Sequence, residues 1–212
     1  METLLRNDFT AHYGLPISAT ANISISTTAQ YFEIEDDEHK ETQLHLVAGS
    51  GMAAYRNTNS YTTTIINYDK FITGLPHAFQ QGKKRCDLIV HTTNLRYFLL
   101  NELTDTLPQY VQPHINSRGQ QPGKMFKAAN QFIQSLIDLM TVASIATFAN
   151  THTFRHCCFF NKQSMSPPTI TATTAFNRLG TIVTAGLRMP NLDIEAFGFE
   201  FWEYSGNQVY NL

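Results

Sequence analysis

The chain has 212 residues, of which 42% are hydrophobic and 15% are charged. These proportions exclude a disordered chain and predict a single folded domain over residues 1–212. The formal net charge of −2 at pH 7 excludes a strong overall attraction to nucleic acid or to an anionic membrane, so any contact with nucleic acid must come from a local basic cluster.

The sequence also predicts where the protein works. Its N-terminus lacks the charged-then-apolar order of a secretory signal. The most apolar stretch, residues 132–149, is interrupted by Gln134, Asp138 and several Ser and Thr residues, which makes it too polar for a membrane span. Three cysteines without a CxxC spacing favour free thiols in a reducing compartment. We therefore expect a cytoplasmic protein that has no membrane partner.

The first 82 residues are predicted to be strands and loops that cover a sheet. Residues 1–25 show no clear period and are expected to be irregular. Residues 31–35 and 43–47 alternate apolar and polar side chains on either side of an acidic run, which predicts a hairpin with a charged turn. Residues 61–68 are rich in Thr, Ile and Tyr, and this composition is typical of a strand.

Two short apolar runs in the middle of the chain predict buried, neighbouring strands. Residues 88–91 follow the basic run Lys83-Lys84-Arg85, and residues 97–103 follow a tight connection. A basic run of three residues is more often a solvated loop than a binding patch. Residues 108–123, which contain several prolines and glycines, predict a polar loop.

After that loop the hydrophobic period changes from two to about 3.6. One face of a long helix over residues 124–148 is predicted to carry Phe126, Ala129, Ile133, Leu136, Ile137, Met140 and Ala143. Residues 155–160 predict another buried strand, and residues 194–204 alternate with three phenylalanines on one side. The predicted fold class is α/β (α+β), a central mixed sheet flanked by helices.

Asp87 and Glu102 are the side chains best placed for chemistry. Glu102 shares a strand face with Phe98 and Leu100, because side chains two residues apart point the same way. Asp87 begins the preceding strand, so pairing of the strands would bring both acids to one end of the sheet. Two close carboxylates repel unless a cation lies between them, and Mg²⁺ prefers such ligands. The alternative is that Asp87 caps a loop and Glu102 is an ordinary edge-strand acid.

This part of the sequence resembles the PD-(D/E)XK nuclease superfamily. The resemblance is carried by residues 84–90, Lys-Arg-Cys-Asp-Leu-Ile-Val, and by residues 97–104, Tyr-Phe-Leu-Leu-Asn-Glu-Leu-Thr. A predicted helix and strand follow, as in that family, so that residues 83–160 resemble a nuclease-like core. The resemblance implies a restriction-endonuclease-like fold and metal-dependent hydrolysis of phosphodiester bonds in DNA or RNA.

The resemblance also implies roles for particular residues. Asp87, Glu102 and the carbonyl of Leu103 would hold the metal, Mg²⁺ or Mn²⁺. Gln131 matches the polar helix position of the family, although an ordinary surface glutamine is the alternative. The bound metal would lower the pKa of a water molecule and neutralise charge on the phosphate.

Thr104 stands where the family has a lysine, and a hydroxyl cannot supply a positive charge. The catalytic role has moved to Lys124 or Lys127, or the site works with a neutral residue, or the fold is retained without activity. In the last case the protein is a catalytically silent interaction subunit of a defence or mobile-element complex, as a homodimer or in a larger assembly. A mixed α/β protein in which these acids are incidental is a further alternative.

Other candidate groups are weaker. His152 and His156 are four residues apart in a strand-like run, where about 13 Å would separate them, so shared zinc ligation is not expected. Cys157 and Cys158 are expected to be core residues. An exposed sheet edge is predicted to carry the four acids Asp193, Glu195, Glu200 and Glu203, the first two on the same face as Phe197, Phe199 and Phe201.

Overall fold

The computed structural model describes residues 1–16, 22–36, 41–117, 119–162, 186–206 and 208–212. The strands are β1 (Ser24–Thr27), β2 (Tyr31–Asp36), β3 (Thr42–His45), β4 (Ala53–Arg56), β5 (Thr63–Asn67), β6 (Leu88–Thr92), β7 (Tyr97–Thr104), β8 (His114–Asn116), β9 (Gly119–Gln121), β10 (Phe154–Asn161), β11 (Leu187–Met189), β12 (Glu200–Ser205) and β13 (Val209–Asn211). The helices are α1 (Thr10–His12), which continues a π-helical segment (Leu4–Phe9), α2 (Tyr68–Thr73), α3 (His77–Gln80), α4 (Lys124–Met140), α5 (Ala143–Asn150) and α6 (Leu192–Glu195), and a 3₁₀ turn covers Pro108–Tyr110.

Seven of these strands form a central mixed sheet in the order β1-β5-β6-β7-β10-β12-β11. β5, β6 and β7 are an antiparallel meander, whereas β10 is parallel to both β7 and β12. Parallel neighbours need a long crossover, and α4 and α5 provide it between β7 and β10. The predicted fold class, a central mixed sheet flanked by helices, is confirmed.

The central sheet separates two hydrophobic cores. Along β7, Phe98 and Leu100 belong to the core shared with the helices, whereas Tyr97 and Leu99 belong to a second core on the other face. That second core is completed by a four-stranded sheet in the order β13-β4-β2-β3. Side chains alternate across a strand, so β7, buried on both faces, carries the long apolar run seen in the sequence.

Residues 1–82 contribute to both layers. β2, β3 and β4 lie in the smaller sheet, and β1 and β5 belong to the central sheet itself. The predicted hairpin is confirmed, since β2 pairs with β3 in an antiparallel register; its turn, residues 37–40, lies outside the described residues. The expectation that residues 1–25 are irregular is wrong for the helical segment, which buries Leu5 and Phe9 completely. Two anchors one turn apart are too few to reveal a helical period.

The helix predicted over residues 124–148 is two helices. α4 ends at Met140, Val142 adopts extended backbone angles, and α5 follows after a bend of 112°. The buried stripe of α4 runs through Ala128, Ala129, Phe132, Ser135, Leu136 and Leu139. Phe126 and Ile137 lie outside this stripe and are 59% and 44% exposed, so their placement on the same face as Ala129 and Leu136 is wrong.

No single helix among the described residues is long and apolar enough to span a membrane. The bent pair of α4 and α5 meets the length and composition criteria only when the two helices are taken together.

The C-terminal strand predicted over residues 194–204 begins later than expected. Asn191 caps α6 by accepting a hydrogen bond from the Ile194 amide at 3.1 Å, a geometry that asparagine favours. Asp193 and Glu195 therefore lie on a short helix and do not share a strand face with the phenylalanines, which corrects the prediction. The alternation from Phe199 onward is confirmed in β12.

A buried histidine predicts how stability depends on pH. His91 is 7% exposed, and burial, followed by the charge of the N-terminal amine, lowers its pKa from 6.5 to about 4. As the pH falls, the unfolded chain therefore binds a proton at His91 before the folded protein does. The stability contributed by neutral, buried His91 is complete above about pH 6.5 and is lost as the pH falls below that value. At pH 5 the loss amounts to about 2 kcal/mol.

We expect urea titrations to show this loss of stability in wild type but not in His91→Phe, a variant that keeps a ring against Phe148. The variant should gain stability relative to wild type as the pH falls from 7.5 to 5. His77 is exposed, so His77→Phe should show no such change and serves as the control. A pH-independent difference for His91→Phe would mean that the ring is not buried in solution.

Candidate functional site

Hydrogen bonds to β7 place Asp87 beside Glu102, immediately before β6. The regular pairing of β6 with β7 begins at Leu88, which faces Asn101. The Asp87 amide donates to the Asn101 carbonyl at 3.0 Å, and Oδ2 of Asp87 accepts from the Leu103 amide at 2.7 Å. The charge of Asp87 raises the pKa of Glu102, so the two carboxylates lie close together.

Glu102 lies on the face of the sheet that α4 covers. It continues the row of Phe98 and Leu100, which belong to the core beneath the helices. The row of buried apolar side chains thus ends in a carboxylate, as the alternation along β7 predicts. Neither acid is fully exposed.

The carboxylate of Glu102 lies in an unfavourable environment. Its Oε1 accepts a hydrogen bond from Nε2 of Gln131 at 2.7 Å, whereas its Oε2 is buried and has no hydrogen-bond partner among the residues that the structure describes. Burial, and then the charge of Asp87, raise the pKa of Glu102 well above its ordinary value, and Lys124 acts in the opposite direction. A nearby cation would compensate the charged form.

Gln131 connects Glu102 to the segment before β6. The same Nε2 that donates to Glu102 also donates to the Arg85 carbonyl at 2.9 Å. The side chain reaches both groups because it lies on the half-buried side of α4, one turn beyond Lys127. Gln131 therefore contacts Glu102, and its role in a reaction stays a prediction.

The positively charged candidates lie at the start of α4. Lys124 is its first residue and lowers the pKa of Glu102 by its charge, and Lys127 follows one turn later; both are exposed. Thr104 instead shares a hydrogen bond with the Thr106 hydroxyl at 2.9 Å. Leu103 contributes its amide to Asp87, and a ligand role for its carbonyl stays a prediction.

A pocket of about 430 Å³ opens beside the acid pair. This volume is in the range of small-molecule sites. The pocket is lined by Asp69, Lys83, Lys84, Arg85, Pro122, Phe126, Lys127 and Gln131. Because Gln131 both lines the pocket and donates to Glu102, the two features adjoin.

The basic run before β6 is more than a solvated loop, which corrects that expectation. Arg85 pairs with Asp69 through its Nε and donates to the Thr73 hydroxyl at 3.0 Å. Lys83 pairs with Asp138 at 2.8 Å. Neither acid is near the run in sequence, so only the fold brings them together.

Asp69 is the acid that sequence reasoning missed. Asn67 caps α2 by accepting from the Lys70 amide at 2.7 Å, and the Asp69 amide donates to the Asp87 carbonyl at 3.0 Å. Asp69 is therefore fixed beside the segment that carries Asp87, and its charge also raises the pKa of Glu102. The asparagine at the end of β5 is a cap signal in the sequence, but it does not show which residue the helix faces.

The acid pair fits a hard divalent cation on its own chemistry. No group of three or more His, Cys, Asp and Glu side chains that could hold a metal occurs in the described part of the chain. Mg²⁺ commonly uses only one or two protein carboxylates and completes its shell with water and phosphate. Adjacent carboxylates and an unpartnered buried oxygen on Glu102 meet that requirement.

The other candidate groups are not brought to this site. His152 lies against Phe98 on the helical face, whereas His156 shares a hydrogen bond with the Tyr210 hydroxyl at 2.7 Å on the opposite face. Cys157 and Cys158 are fully buried core residues, as predicted, and burial raises the pKa of both thiols.

Comparisons with protein-family models, with curated proteins and with solved structures found no match. Function must therefore be inferred from the geometry of the acid pair and its surroundings, together with the resemblance of residues 83–160.

The environment of Glu102 predicts a variant that is more stable than wild type. Glu102→Gln keeps the shape and the contact with Gln131 but removes the buried charge beside Asp87. Without divalent cations we expect it to be more stable by about 1–3 kcal/mol at pH 8, the range for an uncompensated buried polar group.

This gain should disappear as the pH falls. The pKa of Glu102 is raised in the folded state, so the wild-type residue takes up its proton on folding and loses stability as the pH rises. Urea titrations at pH 4 and pH 8 measure the difference. Asp193→Asn, at an exposed position of α6, is the control and should stay within about 0.5 kcal/mol of wild type. Destabilisation by Glu102→Gln at pH 8 would contradict the prediction.

Proposed function

We propose that the protein is a divalent-metal-dependent nuclease that hydrolyses phosphodiester bonds of DNA or RNA. One observation carries the proposal: Glu102 lies half-buried beside Asp87, with a raised pKa and with a buried oxygen, Oε2, that has no hydrogen-bond partner among the described residues. A cation of the Mg²⁺ type would satisfy both carboxylates and would attract a phosphate.

The order of elements around the acids supports this proposal. Asp87 precedes β6, Glu102 lies in β7, and α4 leads to β10, which runs parallel to β7. This is the strand, strand, helix, strand order of the PD-(D/E)XK resemblance. A restriction-endonuclease-like arrangement of this core is part of the proposal.

The residues of the chain have separate roles in the proposed reaction. The Leu103 amide orients Asp87, and Gln131 orients Glu102 through one of its oxygens. These two carboxylates would hold Mg²⁺ or Mn²⁺, with the Leu103 carbonyl as a further candidate ligand. The metal, when bound, supplies a water of lowered pKa and neutralises charge on the phosphate.

Lys124 is the proposed substitute for the missing strand lysine. It is exposed and its charge already acts on Glu102, so it can offset negative charge that develops on a phosphate at the acid pair. Thr104 has no charge to give. Lys127 lies further along α4 and lines the adjoining pocket, where a contact with the nucleic-acid backbone suits it better.

Metal binding is the first test. Calorimetry with Mn²⁺ should detect binding to wild type that is lost in Asp87→Asn and in Glu102→Gln, while Asp193→Asn binds as wild type does. Both site variants preserve side-chain shape, and circular dichroism checks that they fold. Full metal-dependent cleavage of DNA and RNA by either site variant would overturn the assignment of these acids.

The role of Lys124 is tested separately from metal binding. We expect Lys124→Ala to cut the cleavage rate by about 10²–10³-fold, the effect of removing one group that stabilises transition-state charge. Its affinity for Mn²⁺ should be retained, and Lys124→Arg should restore part of the rate. Lys127→Ala should weaken substrate binding more than turnover. An unchanged cleavage rate in Lys124→Ala would show that Lys124 is not needed and would favour a site that works with a neutral residue in place of the lysine.

Thr104 supports a second candidate, a nuclease-fold interaction subunit without activity. Such a subunit would act as a homodimer or within a larger defence or mobile-element complex. Absence of Mn²⁺ binding to wild type at millimolar concentration would favour this candidate over the enzyme.

A further inference from the structure

Phe126 is an aromatic side chain that is exposed to solvent beside the acid pair. It is 59% exposed, which makes it the most exposed phenylalanine among the described residues. Within that part of the chain it has no aromatic ring partner, unlike Phe154, which stacks on Tyr97. Burying such a ring is worth about 1.5–3 kcal/mol. An exposed ring in a pocket is therefore available to a ligand.

Two lysines beside Phe126 also lack partners. Lys84 and Lys127 line the same pocket, are exposed, and form no ion pair or side-chain hydrogen bond within the described residues. The other two cations of the pocket differ, because Lys83 is tied to Asp138 and Arg85 to Asp69. Asp69 is the one acid among the pocket residues and is already paired. The pocket therefore has positive charge to offer an anion.

An apolar ring between free ammonium groups matches the chemistry of a nucleotide. A base can stack on the ring, and its phosphate can approach the lysines, as in proteins that bind single strands. In a duplex, the faces of the bases are covered by their neighbours. Stacking on Phe126 therefore requires a base that is unpaired and turned out of the helix.

The position of the pocket relates this nucleotide to the proposed site of cleavage. Gln131 lines the pocket and donates to Glu102 at 2.7 Å, so a phosphodiester at the acid pair has its neighbouring nucleotide at the pocket. We propose that the pocket holds this adjoining nucleotide unpaired, with its base on Phe126. The substrate class is then single-stranded nucleic acid, or a duplex with an unpaired segment at the cleavage position. This inference rests on the proposed nuclease function.

Oligonucleotide binding without divalent metal tests the inference independently of activity. The probes are fluorescein-labelled 12-nucleotide single strands of DNA and RNA and the blunt 12-base-pair DNA duplex, measured by anisotropy in EDTA. Wild type should bind a single strand at least about tenfold more tightly than the duplex. Phe126→Ala should weaken single-strand binding by about 5- to 150-fold, the range for loss of one stacked base.

Matched variants distinguish stacking from general effects. Phe126→Trp should retain single-strand affinity, and Ile137→Ala, another exposed apolar position of α4 outside the pocket, should behave as wild type. Lys127→Ala should weaken binding and reduce its dependence on salt, because one phosphate contact is lost.

Three outcomes would overturn the inference. They are equal or tighter binding of the duplex, unchanged single-strand affinity in Phe126→Ala, and binding of a poly-glutamate peptide as tight as that of the oligonucleotide. None of these outcomes would contradict the proposed nuclease function, which is tested by Mn²⁺ binding and cleavage. Conversely, loss of the metal site would leave the binding measurements in EDTA unaffected.

Discussion

The buried carboxylate of Glu102, held beside Asp87, is the constraint that organises this part of the protein. A charge in that position is costly because it is removed from water and faces a like charge. Gln131 offsets part of the cost at one oxygen and Lys124 offsets part through its charge, but the second oxygen has no hydrogen-bond partner among the described residues. The register of β7 fixes Glu102 on this face, since a shift by one residue would turn it to the other face.

The cations around the acids fall into two groups with different consequences. Lys83 and Arg85 are paired with Asp138 and Asp69, so they attach the segment before β6 to α4 and α2. These two charges are therefore largely neutralised by ion pairs within the fold. Lys84, Lys124 and Lys127 are exposed and form no ion pair with the described residues, so their charges are available to a ligand. A net charge of −2 over the whole chain is therefore compatible with a locally positive site.

Much of the sheet follows from local pattern, and much of the site does not. Alternation and apolar runs are sufficient to find β6, β7 and β10 and to put Glu102 on the face of Phe98, because the side-chain period of a strand is a local property. The bend after Met140, the exposure of Phe126 and the pairing of Arg85 with Asp69 depend on which surfaces meet in three dimensions. No period in the sequence encodes these features. The short N-terminal helix was missed for a related reason, since tertiary burial of two side chains stabilises it.

Thr104 is compatible with the proposed reaction if another group supplies positive charge. Lys124 is exposed at the start of α4 and its charge acts on Glu102, so it is the proposed source of that charge. The energetics of the acids point the same way. In a protein that only packs against partners, an apolar residue in place of Glu102 would extend the core and remove the repulsion from Asp87. Under the proposed function, a cation bound by the two carboxylates would offset the cost of holding both acids.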